Sequence, residues 1–219
     1  MVSYLRESLK FDIVVPTKGV GLINKYFAHF KTITKHKYLV FLACCGAGIP
    51  WQGILHDLSK YSPSEFFSSA RYYQGNRSPI DAEKEEKGYS LAWLHHKGRN
   101  RHHYEYWIDY LDDGGRPLII PYRFVLEMVC DWIGAGKVYG GRRAWNPSKP
   151  LQFWQWKSQR ARIHPATAQL LDYLLVGFES GSYSFLRRRR EHERRYEEII
   201  EKHRAAEAAE IVKSSEFIN

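Results

Sequence analysis

Residues 36–60 read HKYLVFLACCGAGIPWQGILHDLSK, and this stretch decides the fold class. His36 is followed by Val40, Cys44 and Ala47, at offsets of 4, 8 and 11, the spacing of one helix face. The pattern predicts one long helix or two over Leu22–Ala47, ended by Gly46 and Gly48 and then Pro50. His36 lies on the apolar stripe of that helix and should point into the interior. A short helix is expected over 51–59, and it carries the pentapeptide His56-Asp57-Leu58-Ser59-Lys60.

Working outward, Ser62-Pro63 opens a further helix with Glu65 in its first turn, running to about Tyr73. Residues 74–88 read as a polar loop followed by a charged run, and a helical stretch is expected from Tyr89 to about Leu111, with Gly98 as a candidate break. Asp112-Asp113-Gly114-Gly115 is a turn, 121–138 a clear helix, and His164-Pro165 starts another to about Val176. Alternating apolar and polar runs are nearly absent, apart from one β-like segment at 11–15 stopped by Pro16. The fold class expected is therefore all-α. After Gly181 the chain becomes charged and helix-favouring, with arginine at all four positions 187–190. This divides it into an N-terminal extension (1–18), a helical domain (19–180) and a solvent-facing charged helical tail (181–219).

Composition narrows the function. With 44% hydrophobic and 26% charged residues in 219, the chain reads as one globular domain and not a disordered one. Three cysteines cannot make a framework of disulfides, so a reducing cytoplasm fits. The weakly polar run 38–51 is too short and too broken by Gly and Pro to span a bilayer, and no secretory signal is visible, so no membrane is expected. A net charge of +9 favours anionic partners: a phosphate ester, a nucleotide or nucleic acid.

Ten histidines are many, and their placement carries the chemistry. The His56-Asp57 pair offers a divalent metal one imidazole nitrogen and one carboxylate oxygen. Lys60, three residues beyond Asp57, would project toward the same side and hold a phosphate or bridging oxygen. Taken alone, the dipeptide reads more readily as an N-cap-like aspartate with a solvated lysine. Asp131, however, shares an inward stripe with Phe124, Met128 and Ala135, and a buried carboxylate needs a cation or several donors. One buried metal accounts for His36, His56-Asp57 and Asp131 together.

A second cluster is His95-His96-Lys97-Gly98-Arg99-Asn100-Arg101-His102-His103. If it is helical, His96, Asn100, His103 and Trp107 share one stripe, and His95, Arg99, His102 and Tyr106 the next. The cluster reads as a second metal site or as a cationic, aromatic-rich surface helix. Which histidine of each pair turns inward is open, with His96 and His103 fitting the stripe that ends at Trp107. Arg99 and Arg101 are candidate phosphate clamps, and Asn100 and His102 candidate substrate contacts. Glu65 is either a general base or a charge favourable to a helix start. Cys44 and Cys45 read as small packing residues.

The order of helical His36, then Leu55-His56-Asp57-Leu58-Ser59-Lys60, then distant Asp131 resembles the HD-domain metal-dependent phosphohydrolases over roughly 36–137. The stretch HDLSK is similar to the HD-x-x-K form of the cyclic-dinucleotide phosphodiesterase branch, but Gly98-Arg99-Asn100 replaces that branch's Gly-Tyr-Pro motif. HDLSKYSPSEF and AWLHHKGRNRHHYEYW also resemble a small uncharacterised bacterial and phage family, which implies no activity.

The HD resemblance implies a helical bundle holding one or two ions of Mn, Fe, Co, Ni or Zn. His36, His56, Asp57 and Asp131 would be ligands of one ion, and His96 and His103 would complete a second site. It further implies hydrolysis of a nucleotide or small phosphomonoester by a metal-bound hydroxide, with Lys60, Asp57 and Glu65 in catalytic roles. The same ligands would suit an HD-like di-iron oxygenase. A basic, non-catalytic nucleic-acid-binding module is the third reading.

Overall fold

Helix α1 (Leu22–Ala47) is the spine of the molecule, and its buried face is the stripe His36, Val40, Cys44 and Ala47. The computed structural model describes residues 21–110 and 114–216. Gly48 ends α1 in the left-handed region at φ 79°, and the Ile49 N–H donates to the Cys44 carbonyl, closing a glycine cap. Pro50, whose missing N–H is harmless in a first turn, begins the short α2 (Pro50–Leu55). A 3-10 turn (Leu58–Tyr61), α3 (Pro63–Tyr72), α4 (Pro79–Lys87) and α5 (Leu91–Arg99) follow. A second 3-10 turn (Tyr104–Trp107) leads into the antiparallel pair β1 (Ile108–Asp109) and β2 (Arg116–Pro117). Helices α6 (Tyr122–Ala144), α7 (Lys149–Ser158), α8 (Pro165–Leu186) and α9 (Arg189–Glu216) complete the chain.

The fold is all-α: the strand pairing joins only two residues on each side. No helix among the described residues is long and apolar enough to cross a membrane. The core lies where α6 and α8 pack on α1, through Val40 and Cys44, then Leu126, Val129 and Ile133, then Leu170, Leu171, Leu174 and Leu175. Two glycines set the closest approaches. A Cβ on Gly134 of α6 would stand 2.4 Å from a methyl carbon of Val40. A Cβ on Gly53 of α2 would stand 2.9 Å from both the Cys44 Cβ and the Phe41 Cα. Hydrogen at these positions presses α6 and α2 onto α1 beside His36.

Four expectations need correction. The charged run after the polar loop is helical as α4, because Ser78 and Pro79 start it and PIDAEKEEK is rich in helix formers. The helix expected to reach Leu111 stops at Arg99. Asn100 is extended (φ −115°, ψ 100°), and its side-chain amide donates to the His96 carbonyl at 2.8 Å, so the chain turns away. The helix expected to end near Val176 runs on as α8 to Leu186, with a break at Ser182 (φ 53°, ψ −147°). The tail is not merely solvent-facing. His192, Tyr196 and Ile199 of α9, at 0%, 3% and 8% exposure, form a helical stripe against the core. The Tyr196 hydroxyl donates to the Ile120 carbonyl at 2.9 Å and sits 2.8 Å from the Thr167 hydroxyl. The β-like run 11–15 lies outside the described residues.

Candidate metal centre

Asp57 is the pivot of the site, and the backbone places it there at a cost. It adopts the left-handed conformation (φ 54°, ψ 26°), unfavourable for a residue with a Cβ by about 1–2 kcal/mol. Lys37, one residue beyond His36 on α1, steadies the turn by donating to the Ile54 and His56 carbonyls at 2.6 and 2.7 Å. The α2 terminus is thereby tied to the helix that carries His36.

The two Asp57 oxygens face different neighbours. Oδ2 lies 3.4 Å from His36 Nε2, 3.1 Å from His56 Nε2 and 2.5 Å from Lys60 Nζ. Asp131 Oδ1 closes that side, 3.0 Å from His36 Nε2 and 3.3 Å from His56 Nε2. Oδ1 of Asp57 faces His96 Nε2 at 3.3 Å and His102 Nε2 at 3.4 Å, and His103 Nε2 is 2.9 Å from His96 Nε2. Two donor sets therefore share one carboxylate. They are His36, His56, Asp57 and Asp131, and Asp57, His96, His102 and His103, with donor atoms in each within 4.8 Å of one another.

Behind these donors sit two further carboxylates. Glu127 Oε1, from α6, is 3.1 Å from both His56 Nδ1 and His102 Nδ1. Glu65 takes His96 Nδ1 on Oε2 at 2.8 Å and His95 Nδ1 on Oε1 at 2.5 Å. An Nδ1–H donated to a carboxylate leaves the Nε2 lone pair directed away from it, the arrangement that prepares histidine as a metal ligand.

Electrostatics favour cations here. Burial alone would push the Asp57 carboxyl up, but His56, Lys60 and His96 together hold it well below the usual range. Asp131 is likewise held well below by His36 and His56 against the effect of burial. Burial lowers His96, and burial with the neighbouring His102 and His96 lowers His103 further, so both stay neutral donors. Asp57, Asp131, Glu65 and Glu127 are all buried carboxylates, and Lys60 is the ammonium among them. The donor atoms also fit a metal. His36, His56 and His102 Nε2 and Asp57 Oδ1 are buried without a hydrogen-bond partner, and Asp57 Oδ2 is met only by the Lys60 ammonium, although the imidazole nitrogens stand 3.1–3.4 Å from the Asp57 oxygens. Atoms that approach so closely without hydrogen-bond alignment are arranged as ligands of a common centre would be. Mixed imidazole and carboxylate donors suit borderline divalent ions such as Mn, Fe, Co, Ni or Zn.

The structure gathers His36, His56, Asp57, Asp131, His96 and His103 as the sequence pattern anticipates, by a different route for the last two. The stripe argument fails because α5 stops at Arg99. The turn that follows brings both His102 and His103 back to Asp57, so His102 stands in the second donor set and not at a substrate-binding rim. Asn100 is 8% exposed and occupied by Ser59 and the His96 carbonyl, which makes it a helix-ending residue. Arg99 and Arg101 are exposed. Glu65, with both oxygens on histidines, positions His95 and His96. Glu127 escaped the sequence reading. Its signal was the i, i+4 spacing to Asp131 on one face of α6.

Residues 25–176 match a family model described as a family of unknown function (DUF5662). The chain belongs to this family. All the donor residues, with Glu65 and Glu127, fall inside the matched span, while α9 lies beyond it. No curated protein and no solved structure matches the chain.

Proposed function

We propose that this DUF5662 member is a metal-dependent phosphohydrolase with a two-ion centre built around Asp57. The observation that carries the reading is the division of Asp57: each oxygen meets a different donor set, and Lys60 sits on the same carboxylate. Bound divalent ions would supply Lewis acidity and an activated water. Asp57 would hold the two ions at fixed separation, and the four histidines on Glu65 and Glu127 would keep their orientation. Burial would push the Lys60 ammonium down, but Asp57 and Asp131 hold it well above its usual value, so it stays charged. Lining the adjoining cavity, Lys60 is placed to offset charge on a non-bridging phosphate oxygen. The net charge of +9 draws anionic substrates to the molecule.

The test is elemental analysis of protein purified without chelator, followed by assay of phosphomonoesters and nucleotides with Mn, Co, Ni, Fe, Zn and Mg. Two equivalents of metal with phosphate release are expected. Two irons with oxygen consumption and no phosphate release would replace the hydrolytic reading by the oxidative one. Protein that takes up no metal yet binds nucleic acid, with steep salt dependence, would remove both.

A further inference from the structure

Beside the centre lies a cavity of about 60 Å³, lined by Lys60 and His96 on the metal side and by His29, Thr32, Ser69 and Tyr73 on the other. Its size is informative. An engineered core cavity of about 150 Å³ takes up benzene, so the space enclosed here fits a group of a few heavy atoms and not a whole purine or pyrimidine base.

The hydrogen-bonding groups on the far wall narrow the chemistry further. The Thr32 hydroxyl donates to the Ala28 carbonyl at 3.0 Å, which uses its only proton. Its 2.7 Å contact with the Tyr73 hydroxyl must therefore be donated by Tyr73. Both oxygens are left with acceptor capacity and no proton to give. His29 is 3% exposed, packs between the rings of Phe66 and Tyr73 at 5.4 Å from each, and has no hydrogen-bond partner on Nδ1. Burial, helped by Lys60, lowers His29 to about 4, so at neutral pH it brings an uncharged imidazole to the cavity. The Thr32–Tyr73 pair thus asks for a hydrogen-bond donor, while the neutral His29 imidazole offers one donor and one acceptor nitrogen, and a hydroxyl, which both gives and accepts, can meet each of them. An ammonium group would meet the Lys60 charge across the same small space, whereas a hydroxyl would not.

We propose that this cavity holds the organic part of the substrate, that this part is a short hydroxyalkyl group, and that His29 and Tyr73 select it by its hydroxyl. The substrate class is then small hydroxyalkyl phosphomonoesters and not nucleotides. This rests on the phosphohydrolase reading for the position of the phosphate, but not for the recognition itself.

Two measurements on the full chain separate the two ideas. In the first, calorimetry compares 3-hydroxypropylphosphonate with propylphosphonate, which cannot be hydrolysed and differ only by the hydroxyl. The hydroxylated probe should bind at least about tenfold tighter, the effect of one well-made hydrogen bond. That preference should shrink to near unity in Tyr73→Phe, which keeps the ring, and in His29→Phe. In the second, turnover of 2-hydroxyethyl phosphate should exceed that of ethyl phosphate by about 100-fold, and nucleoside monophosphates should be poor substrates. Equal binding of the two phosphonates overturns the pocket, as does a preference for nucleotides, and either leaves the phosphohydrolase standing. Selective binding with no phosphoester turned over by any metal overturns the hydrolase and keeps the pocket.

Discussion

Gly134 of α6 lies against Val40 of α1 so closely that an added Cβ would stand 2.4 Å from the valine methyl carbon and 3.1 Å from its backbone nitrogen. One turn away on the same two helices, Asp131 meets His36 at 3.0 Å. The glycine is therefore what lets two ligands on separate helices touch. Gly134→Ala should push the helices apart, lowering stability by about 1–3 kcal/mol as an overpacked core does. It should also weaken metal binding at the His36 side. Thermal melts and metal titration read both effects, and Val40→Ala in the same chain should recover part of each. An alanine variant with unchanged melting and metal content would show that the contact relaxes without cost.

Asp57 and Lys60 touch, but they separate scaffolding from chemistry. Asp57→Ala removes the carboxylate common to both donor sets, so metal content should fall on both sides and activity with it. Lys60→Ala should keep fold and metal while turnover drops by about 10²–10³, the range for losing one charge-stabilising donor. Full turnover without Lys60 would reduce it to a counter-ion for Asp57.

The two glutamates behind the histidines should act unequally. Glu127 holds His56 in one donor set and His102 in the other, whereas Glu65 holds only His96 among the ligands. Glu127→Gln should therefore weaken both metal-binding steps, by about 10–100-fold. Glu65→Gln should weaken one and spare the other. Titration calorimetry with Mn or Zn would show it, and equal effects of the two variants would contradict the shared role of Glu127.

Much of this site is legible in the sequence, for physical reasons. His36 and Asp131 stand on helices whose apolar faces have strict 3.6 periodicity, so a polar residue in the stripe announces its own burial. His102 and Glu127 were harder. The chain around Asn100 favours helix in composition, yet at Asn100 the side-chain amide joins the backbone N–H on the His96 carbonyl and the residue turns extended, ending α5. A side-chain bond of this kind has no periodic signature. Glu127 lies one turn before Asp131 on the same face of α6, and a single glutamate there reads as an ordinary helix residue until the histidines from distant segments arrive beside it.

Helix α9 misled the reading in another way. Its charge content describes the exposed side, while Tyr196 and Ile199 carry the docking face. Truncation before Arg189 should therefore destabilise the whole bundle, since each of these side chains contributes about 1.5–3 kcal/mol by burial and Ile120 loses a hydrogen-bond donor. Denaturant unfolding of the truncated chain measures this. A shortened protein as stable as the full chain would return α9 to the role of a solvated tail.

His29 gives the stability a pH dependence of known sign. Its imidazole, lowered to about 4 by burial and by Lys60, binds a proton less readily folded than unfolded, where the value is near the usual 6.5. Between these two values the unfolded chain holds more protons, so stability rises with pH across that window and falls as acid is added. Below the folded value the penalty is complete and levels off, at most on the order of 3 kcal/mol. Other groups titrate in the same range, so the informative quantity is the difference between the native chain and His29→Phe. Urea unfolding in chelator should show the phenylalanine variant gaining on the native protein as pH drops from 7 to 4. Above pH 7 the two should differ by a constant. Curves that stay parallel down to pH 4 would mean that His29 takes up its proton as readily folded as unfolded. The cavity wall would then become cationic as pH falls through the usual 6.5, and below that value an anionic group would suit it better than a hydroxyl.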